Sequence, residues 1–383
     1  MIKLLTVIGA RPQIIKAAAI SRAIRKSFSD SVEEKILHTG QHYDANMSQV
    51  FFDELGIPKP DYNLGVGSGS HGAQTAKMIA GIEQVLTSEH FDGVILYGDT
   101  NSTLAGAVAA CKLHVPVFHI EAGLRSYNMA MPEEQNRIIC DQLSSILFAP
   151  TQTAVNNLAR EGFNDSPARF ANSRNRLVIN SGDVMYDNSV YFARMLEDSG
   201  RESATLSGYG VGSGNFILAT IHRDNNTDKG ERLSAIFKAL LDISERDGID
   251  VVLPLHPRTS KLLEQNLDAG LYARIMNSTR LKLVPPASFF EIIALEKNAR
   301  IVMTDSGGVQ KESFFFGRPC VILRPETEWV EIVEHGAGIL ADADYDRIVS
   351  AYDALVGNEV HFPPLFGDAK AAETILQNIE DYL

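Results

Sequence analysis

The chain has 383 residues, 45% hydrophobic and 22% charged, enough apolar material for about two or three packed domains. A formal net charge of −13 makes it a poor partner for nucleic acid or an anionic membrane, so an anionic ligand must be met by a local cluster of Arg, Lys, His and helix N-termini. Cys111, Cys140 and Cys320 show no C-x-x-C spacing and read as reduced core residues, and no apolar run is long enough to span a bilayer, so the cytoplasm is the expected compartment.

A strand is expected over 3–8, and Arg11 and Gln13 follow it too closely for a signal peptide. The turn after it reads VIGARPQ where a dinucleotide fold would carry G-x-G-x-x-G. Arg11 is either a cation for an anionic ligand or an exposed surface arginine. A helix over 14–26 and a strand over 34–38 come next. GSGSHG (Gly67, Gly69, Gly72) has the glycine spacing but follows the loop-like PKPDYNLGV, so it reads as a loop before a helix over 73–84. A strand over 93–97 delivers Asp99, and one over 115–120 delivers Glu121. Carboxyl ends of parallel strands are where open α/β sheets bind ligands. Alone, Asp99 reads as the N-cap of a helix over 101–113. Two acids on neighbouring strands facing one cleft are harder to explain that way. Glu133 lies in the first turn of a helix over 133–143, behind Pro132, where acids suit the dipole; Arg137, four residues on, offers it a surface ion pair. A strand over 146–149 follows.

After a polar stretch over 171–176 and the glycine-rich SGYGVGSGN, the βα rhythm restarts. Strands are expected over 216–219, 251–255, 281–284, 301–304 and 320–323, with helices over 229–245 and 310–316. ATIHRDNN places His222 and Arg223 at a strand end, and LPLHPR does the same for His256 and Arg258. In TDSGGVQKES, a strand hands Ser306, Gly307 and Gly308 to a helix start. Exposed backbone N–H groups and the helix dipole there would cradle a phosphate. Glu312, one to two turns in, would grip ribose hydroxyls; the alternative is a plain tight turn. No H-E-x-x-H or other ligand cluster points to a metal.

GARPQ, TGQH, YGDTNSTLAG, HIEAGLRS, MPEEQNR, HPR and TDSGGVQKE occur in this order along nearly the whole chain. With them the chain resembles the non-hydrolysing UDP-N-acetylglucosamine 2-epimerases. The resemblance implies an α/β GT-B fold, with two doubly wound Rossmann-like domains facing a central cleft. Residues 1–174 would form the N-terminal domain with the sugar and proton-transfer residues, 175–366 the UDP-binding domain, and 367–383 a helix crossing back to the first. It further implies a homodimer with a UDP-sugar as substrate and no cofactor. Asp99, Glu121 and Glu133 would transfer protons, and His222 would protonate or hydrogen-bond the departing phosphate. Arg11, Lys16 and Arg137 would contact the ligand, while Ser306, Gly307, Gly308 and Glu312 would hold UDP; beside these, the strand-end Arg223 and His256 read from the residues as facing the same phosphates, and His42 is a further candidate contact.

The wording DANMSQVFFDELGIPKPDY, FFFGRPC and RPETEWVEIVEHGA is similar to the branch acting on UDP-2,3-diacetamido-2,3-dideoxyglucuronate, an activity of bacterial surface polysaccharide synthesis. Arg125 or Arg223 would then meet the sugar carboxylate. The implied reaction inverts C2 by eliminating UDP to a glycal and adding it back. Alternatives are a UDP-N-acetylglucosamine 2-epimerase, a GT-B glycosyltransferase, a hydrolysing epimerase and a non-catalytic UDP-sugar binder. The paired carboxylates speak against the last.

Overall fold

A computed structural model describes residues 1–41, 56–163, 176–255 and 257–383. The chain divides into two compact units, Met1–Asn188 with Pro364–Leu383, and Ser189–Pro363. Among the described residues, no helix is long and apolar enough to cross a membrane.

In the first unit, strands β1 (Ile2–Ile8), β2 (Val32–His38), β3 (Tyr62–Asn63), β4 (Gly93–Tyr97), β5 (Val117–Ile120), β6 (Ile146–Ala149) and β7 (Leu177–Asn180) form one parallel sheet. Its spatial order is β3-β2-β1-β4-β5-β6-β7. The central strands are buried end to end, as expected when helices cover both faces. Leu5, Val7, Leu37, Val94 and Leu96 pack there against Met78 and Ile82 of the helix His71–Ser88 and the alanines of the helix Asn101–Lys112. Each such large side chain contributes about 1.5–3 kcal/mol on burial.

In the second unit, β8 (Phe216–Thr220), β9 (Asp250–Pro254), β10 (Leu281–Val284), β11 (Ile301–Thr304), β12 (Cys320–Ile322) and β13 (Gly338–Leu340) form a second parallel sheet, ordered β10-β9-β8-β11-β12-β13. The helices Gly230–Asp247 and Tyr345–Gly357 cover one face of it with Leu233, Phe237, Leu240, Ile348 and Tyr352.

Strand order reverses between β1 and β4 in one unit and between β8 and β11 in the other. Crevices beyond the carboxyl ends of strands at such reversals are where open α/β sheets take ligands. Arg11 follows β1, Asp99 follows β4, His222 follows β8 and Ser306 follows β11.

The helix Ala371–Tyr382 returns to the first unit, where Asp187 accepts hydrogen bonds from the N–H groups of Ala371 (3.1 Å) and Ala372 (2.8 Å). The three cysteines are free thiols; Cys140 and Cys320 are buried, and Cys111 is partly so.

Candidate active site

The first turn is built around Gln13. Its Oε1 accepts the N–H of Gly9 (2.9 Å) and Ala10 (3.2 Å), and its Nε2 donates to the Tyr97 carbonyl and Thr103 Oγ1, both at 3.0 Å. This ties the end of β1 to the end of β4. Gly9 is obligatory, because a Cβ there would lie 2.1 Å from both Ser102 Oγ and Thr39 Oγ1. The helix Arg11–Ala23 begins three residues earlier than its apolar periodicity predicts, because Pro12 suits a helix start and Gln13 satisfies the turn. Arg11 is exposed on its first turn.

Asp99 is not the cap of the helix Asn101–Lys112. Thr100 fills that position, its side chain accepting from the Thr103 N–H. The capping explanation for Asp99 therefore falls away. Its carboxylate instead pairs with Arg137. The expected Glu133–Arg137 surface pair does not form either. Arg137 turns to Asp99 and to the buried Glu134 (2.6 Å), leaving Glu133 exposed on the first turn of the helix Pro132–Leu143. Glu134 also receives the N–H of Ser126 and Tyr127 (2.8 Å for Tyr127), and these bonds with Arg137 outweigh its burial and hold it below the usual carboxylate range.

Glu121 is ion-paired with Lys16, both side chains only 12% exposed. Its backbone φ is +70°, a left-handed conformation that costs a non-glycine residue about 1–2 kcal/mol. Gly98 makes room for the pair, since a Cβ there would lie 3.1 Å from both Glu121 Oε2 and Lys16 Nζ. The site of the first unit thus brings together Lys16, Asp99, Glu121 and Arg137, with Glu133 standing exposed apart from their ion pairs.

Beneath these loops lies a buried network that sequence reading missed. His119 Nε2 meets the Gly98 carbonyl at 2.8 Å, and Nδ1 meets Asp141 Oδ1 at 2.7 Å. Both neighbours are acceptors, so both ring nitrogens carry protons. Burial opposes that charge, but Cys140 and Asp141 beside the ring outweigh it and carry the His119 pKa well above 6.5. Asp141 also takes Arg125 Nη2 (2.7 Å) and the Gly123 N–H (3.2 Å), and Arg125 reaches Glu161 (2.6 Å) and the Leu124 carbonyl (2.7 Å). Arg125, its side chain 1% exposed, is thereby committed to the scaffold, which corrects the expectation that it meets a sugar carboxylate.

This network fixes the stems that carry Asp99 and Glu121, and it makes a pH prediction. A raised folded pKa means that the His119 contribution to stability is complete below about 6.5 and is lost as pH rises through the folded value. His119→Gln should cost about 3–5 kcal/mol near pH 6, as for removal of one buried partner, and less near pH 9. Urea melts at the two pH values check this; an equal gap at both would refute the cationic ring.

In the second unit, Asp305 organises the site. It is fully buried and accepts the backbone N–H of His222 (3.1 Å) and Arg223 (3.0 Å) and the Asn226 amide (3.1 Å), and its Oδ1 stands 3.3 Å from His222 Nδ1. The His222 side chain is 50% exposed, so Nδ1 faces the carboxylate while the ring edge reaches solvent. The sequence signal for Asp305 is an acid directly after a buried strand in TDSGG. Ser306 caps the helix Gly307–Phe315, accepting the Val309 N–H (3.4 Å). Gly307 lies against Glu328, where a Cβ would come within 2.3 Å of Oε1, and Glu328 pairs with Arg324 (2.9 Å). Gly308 is exposed at the helix N-terminus, so the tight-turn alternative leaves an open anion-binding end unexplained. His42 and His256 lie outside the described residues.

Carboxylates held by cations in one unit, and a histidine–carboxylate pair beside a helix N-terminus in the other, suit proton transfer and anion binding respectively. The family model for UDP-N-acetylglucosamine 2-epimerase matches residues 25–380. Over 377 residues the chain is 47% identical to the UDP-2,3-diacetamido-2,3-dideoxy-D-glucuronate 2-epimerase of Pseudomonas aeruginosa, covering 98% of each. It is similar to the crystal structure of the Methanocaldococcus jannaschii UDP-GlcNAc 2-epimerase in complex with UDP-GlcNAc and UDP (TM-score 0.83, 38% identity, 99% of each chain). It is also similar to the Neisseria meningitidis UDP-GlcNAc 2-epimerase bound to UDP-GlcNAc (TM-score 0.84, 28% identity, 99% of this chain and 100% of that one). This chain therefore belongs to the UDP-N-acetylglucosamine 2-epimerase family, isomerases that share a GT-B-like two-domain fold.

Proposed function

We propose that the chain inverts C2 of a UDP-2-acetamido sugar by elimination and re-addition of UDP. The C2 proton is not beside a carbonyl, so removing it alone would strand the charge. If a carboxylate takes that proton while the C1–O bond breaks toward UDP, the electron pair forms the C1–C2 double bond of a glycal. Re-protonation of C2 from the other face, with UDP oxygen adding back to C1, completes the inversion. The sequence is redox-neutral, so it requires no oxidant.

Asp99 and Glu121 are the central proton-transfer pair in this reading, with Glu133 as the third acid. What carries it is that two carboxylates stand at adjacent strand ends, each paired with a cation and neither used as a helix cap. Arg11, Lys16 and Arg137 supply positive charge. Ser306, Gly307 and Gly308 take the diphosphate at a helix N-terminus, Glu312 takes the ribose hydroxyls, and His222 hydrogen-bonds or protonates the departing phosphate. The N-terminal domain supplies the sugar chemistry, the second the UDP site. We assign the protein to the cytoplasm, as a homodimer serving surface polysaccharide synthesis.

Within this chemistry we favour UDP-2,3-diacetamido-2,3-dideoxyglucuronate over UDP-N-acetylglucosamine. The 47% identity to the Pseudomonas aeruginosa enzyme supports it, as does the exposed Arg223 at the end of β8. The second reading is favoured by the UDP-GlcNAc bound in the two similar crystal structures. Incubation with each UDP-sugar at equal concentration, followed by NMR, should show faster turnover of the uronate. Arg223→Gln should lower kcat/KM on the uronate about 10- to 100-fold, the scale of a lost charged hydrogen bond, and spare UDP-N-acetylglucosamine. Faster turnover of UDP-N-acetylglucosamine by the unmodified enzyme would overturn the preference.

A further inference from the structure

Glu296 lies on the helix Phe289–Asn298 and is 0% exposed. Neither of its carboxyl oxygens has a donor partner among the described residues, yet the carboxyl of Glu312 stands close enough for a hydrogen bond between the two once one of them carries a proton. Glu312 is on the helix Gly307–Phe315, which packs beside it. Near Glu296, burial pushes the Cys320 thiol up to about 12, so it stays neutral. The neighbouring Lys297 is engaged elsewhere, by Glu197 and Glu202.

A buried carboxylate with no cation and no fixed donor is strongly unfavourable, and the usual resolution is to keep the proton. Burial, reinforced by the Glu312 charge, raises the Glu296 pKa well above the ordinary carboxyl range. Glu296 is thus a carboxylic acid, a hydrogen-bond donor, facing a second carboxyl whose side chain is only partly buried. Nothing in helix packing asks for an acid at a fully buried position, since an apolar side chain of this volume would fill it without the desolvation cost.

We propose that Glu296 is a protonated positioning residue, whose carboxylic acid holds the Glu312 carboxylate in the orientation that accepts the two ribose hydroxyls of the nucleotide. The inference rests on the reading that Glu312 grips the ribose. It makes nucleotide affinity depend on a residue that touches no ligand.

The test is calorimetric titration of the full chain with UDP and, separately, with 2′,3′-dideoxy-UDP, which lacks the diol. Glu296→Met should weaken UDP about 10-fold, the scale of a hydrogen bond to a charged group, and leave 2′,3′-dideoxy-UDP affinity unchanged. Glu296→Gln keeps an N–H donor toward Glu312 and should restore UDP affinity to that of the unmodified chain. Retained dideoxy-UDP binding also reports that the variant is folded. An equal loss for both ligands in Glu296→Met, or a Glu296→Gln variant as weak as Glu296→Met, overturns the proposal. Glu312→Ala separates the two layers. If it binds UDP as tightly as the unmodified chain, the ribose reading itself fails. If it loses UDP affinity while Glu296→Met does not, that reading stands and the positioning role falls.

Discussion

Glu121→Gln should lower kcat about 100- to 10,000-fold, the range expected when a general acid or base is lost from proton transfer. The substitution nearly preserves shape, so a scaffold role would show a much smaller loss. It also breaks the ion pair with Lys16 in a partly buried place, so UDP-sugar binding should be measured beside the rate. Asp99→Asn should fall in the same range, because Arg137 already neutralises the carboxylate and a capping role is filled by Thr100. Glu133 is the sharper test among the three. It is exposed and outside the ion pairs that hold the others. A loss as large for Glu133→Gln as for Glu121→Gln would make it an equal partner in proton transfer. A loss under about tenfold would return it to its role as a favourable charge in a first helical turn. Elimination adds an isotopic signature. Product formed by the unmodified enzyme in deuterium oxide should carry deuterium at C2. Full retention of hydrogen there would refute the mechanism, and near-normal activity in all three variants would refute the assignment of the acids.

The elements legible in the sequence were those with strong apolar runs. β4, β6, β10 and β11 match their expected bounds because each is a short buried run closed by a turn residue. β3, β7 and β13 carry no such signal, and for a common reason. They are two to four residues long and lie at sheet edges or beside them, too short for periodicity to register. The helix after β1 continues into a π-helical turn at Ile24–Phe28, which has no separate apolar signature.

At the site, residues that meet solvent at strand ends were legible, and residues that hold them from below were not. Asp99, Glu121, His222 and Ser306 each interrupt an apolar run, so their chemistry stands out. His119 sits inside such a run, in Val117–Ile120, and Asp141 sits inside an amphipathic helix. Their meaning depends on a contact between residues 22 apart in the chain. Glu134 and Glu133 are neighbours with similar sequence context, yet one is buried under Arg137 and the other is exposed; the helical phase alone separates them. The buried members of the site are as informative as the exposed ones, because each costs desolvation that its neighbours must offset.

Asp305 is one of these buried members, 0% exposed. Its carboxylate accepts two backbone N–H groups and the Asn226 amide and stands beside His222 Nδ1, all from the segment after β8. Asp305→Asn would turn an NH2 group toward at least one of these donors. A buried donor left without an acceptor costs about 1–3 kcal/mol, and the segment carrying His222 and Arg223 would shift to relieve it. The ring would also lose the negative charge that stands beside its Nδ1. We expect kcat to fall about 100-fold or more, comparable to His222→Asn. If Asp305 acts through His222, the two losses are not additive, and the double variant should be little slower than His222→Asn alone. Steady-state rates of the four enzymes form the cycle, with thermal melts confirming that each is folded at the assay temperature. Multiplying losses would assign Asp305 an independent role in the fold. Near-normal activity in Asp305→Asn beside an inactive His222→Asn would show that the ring needs no carboxylate to direct it.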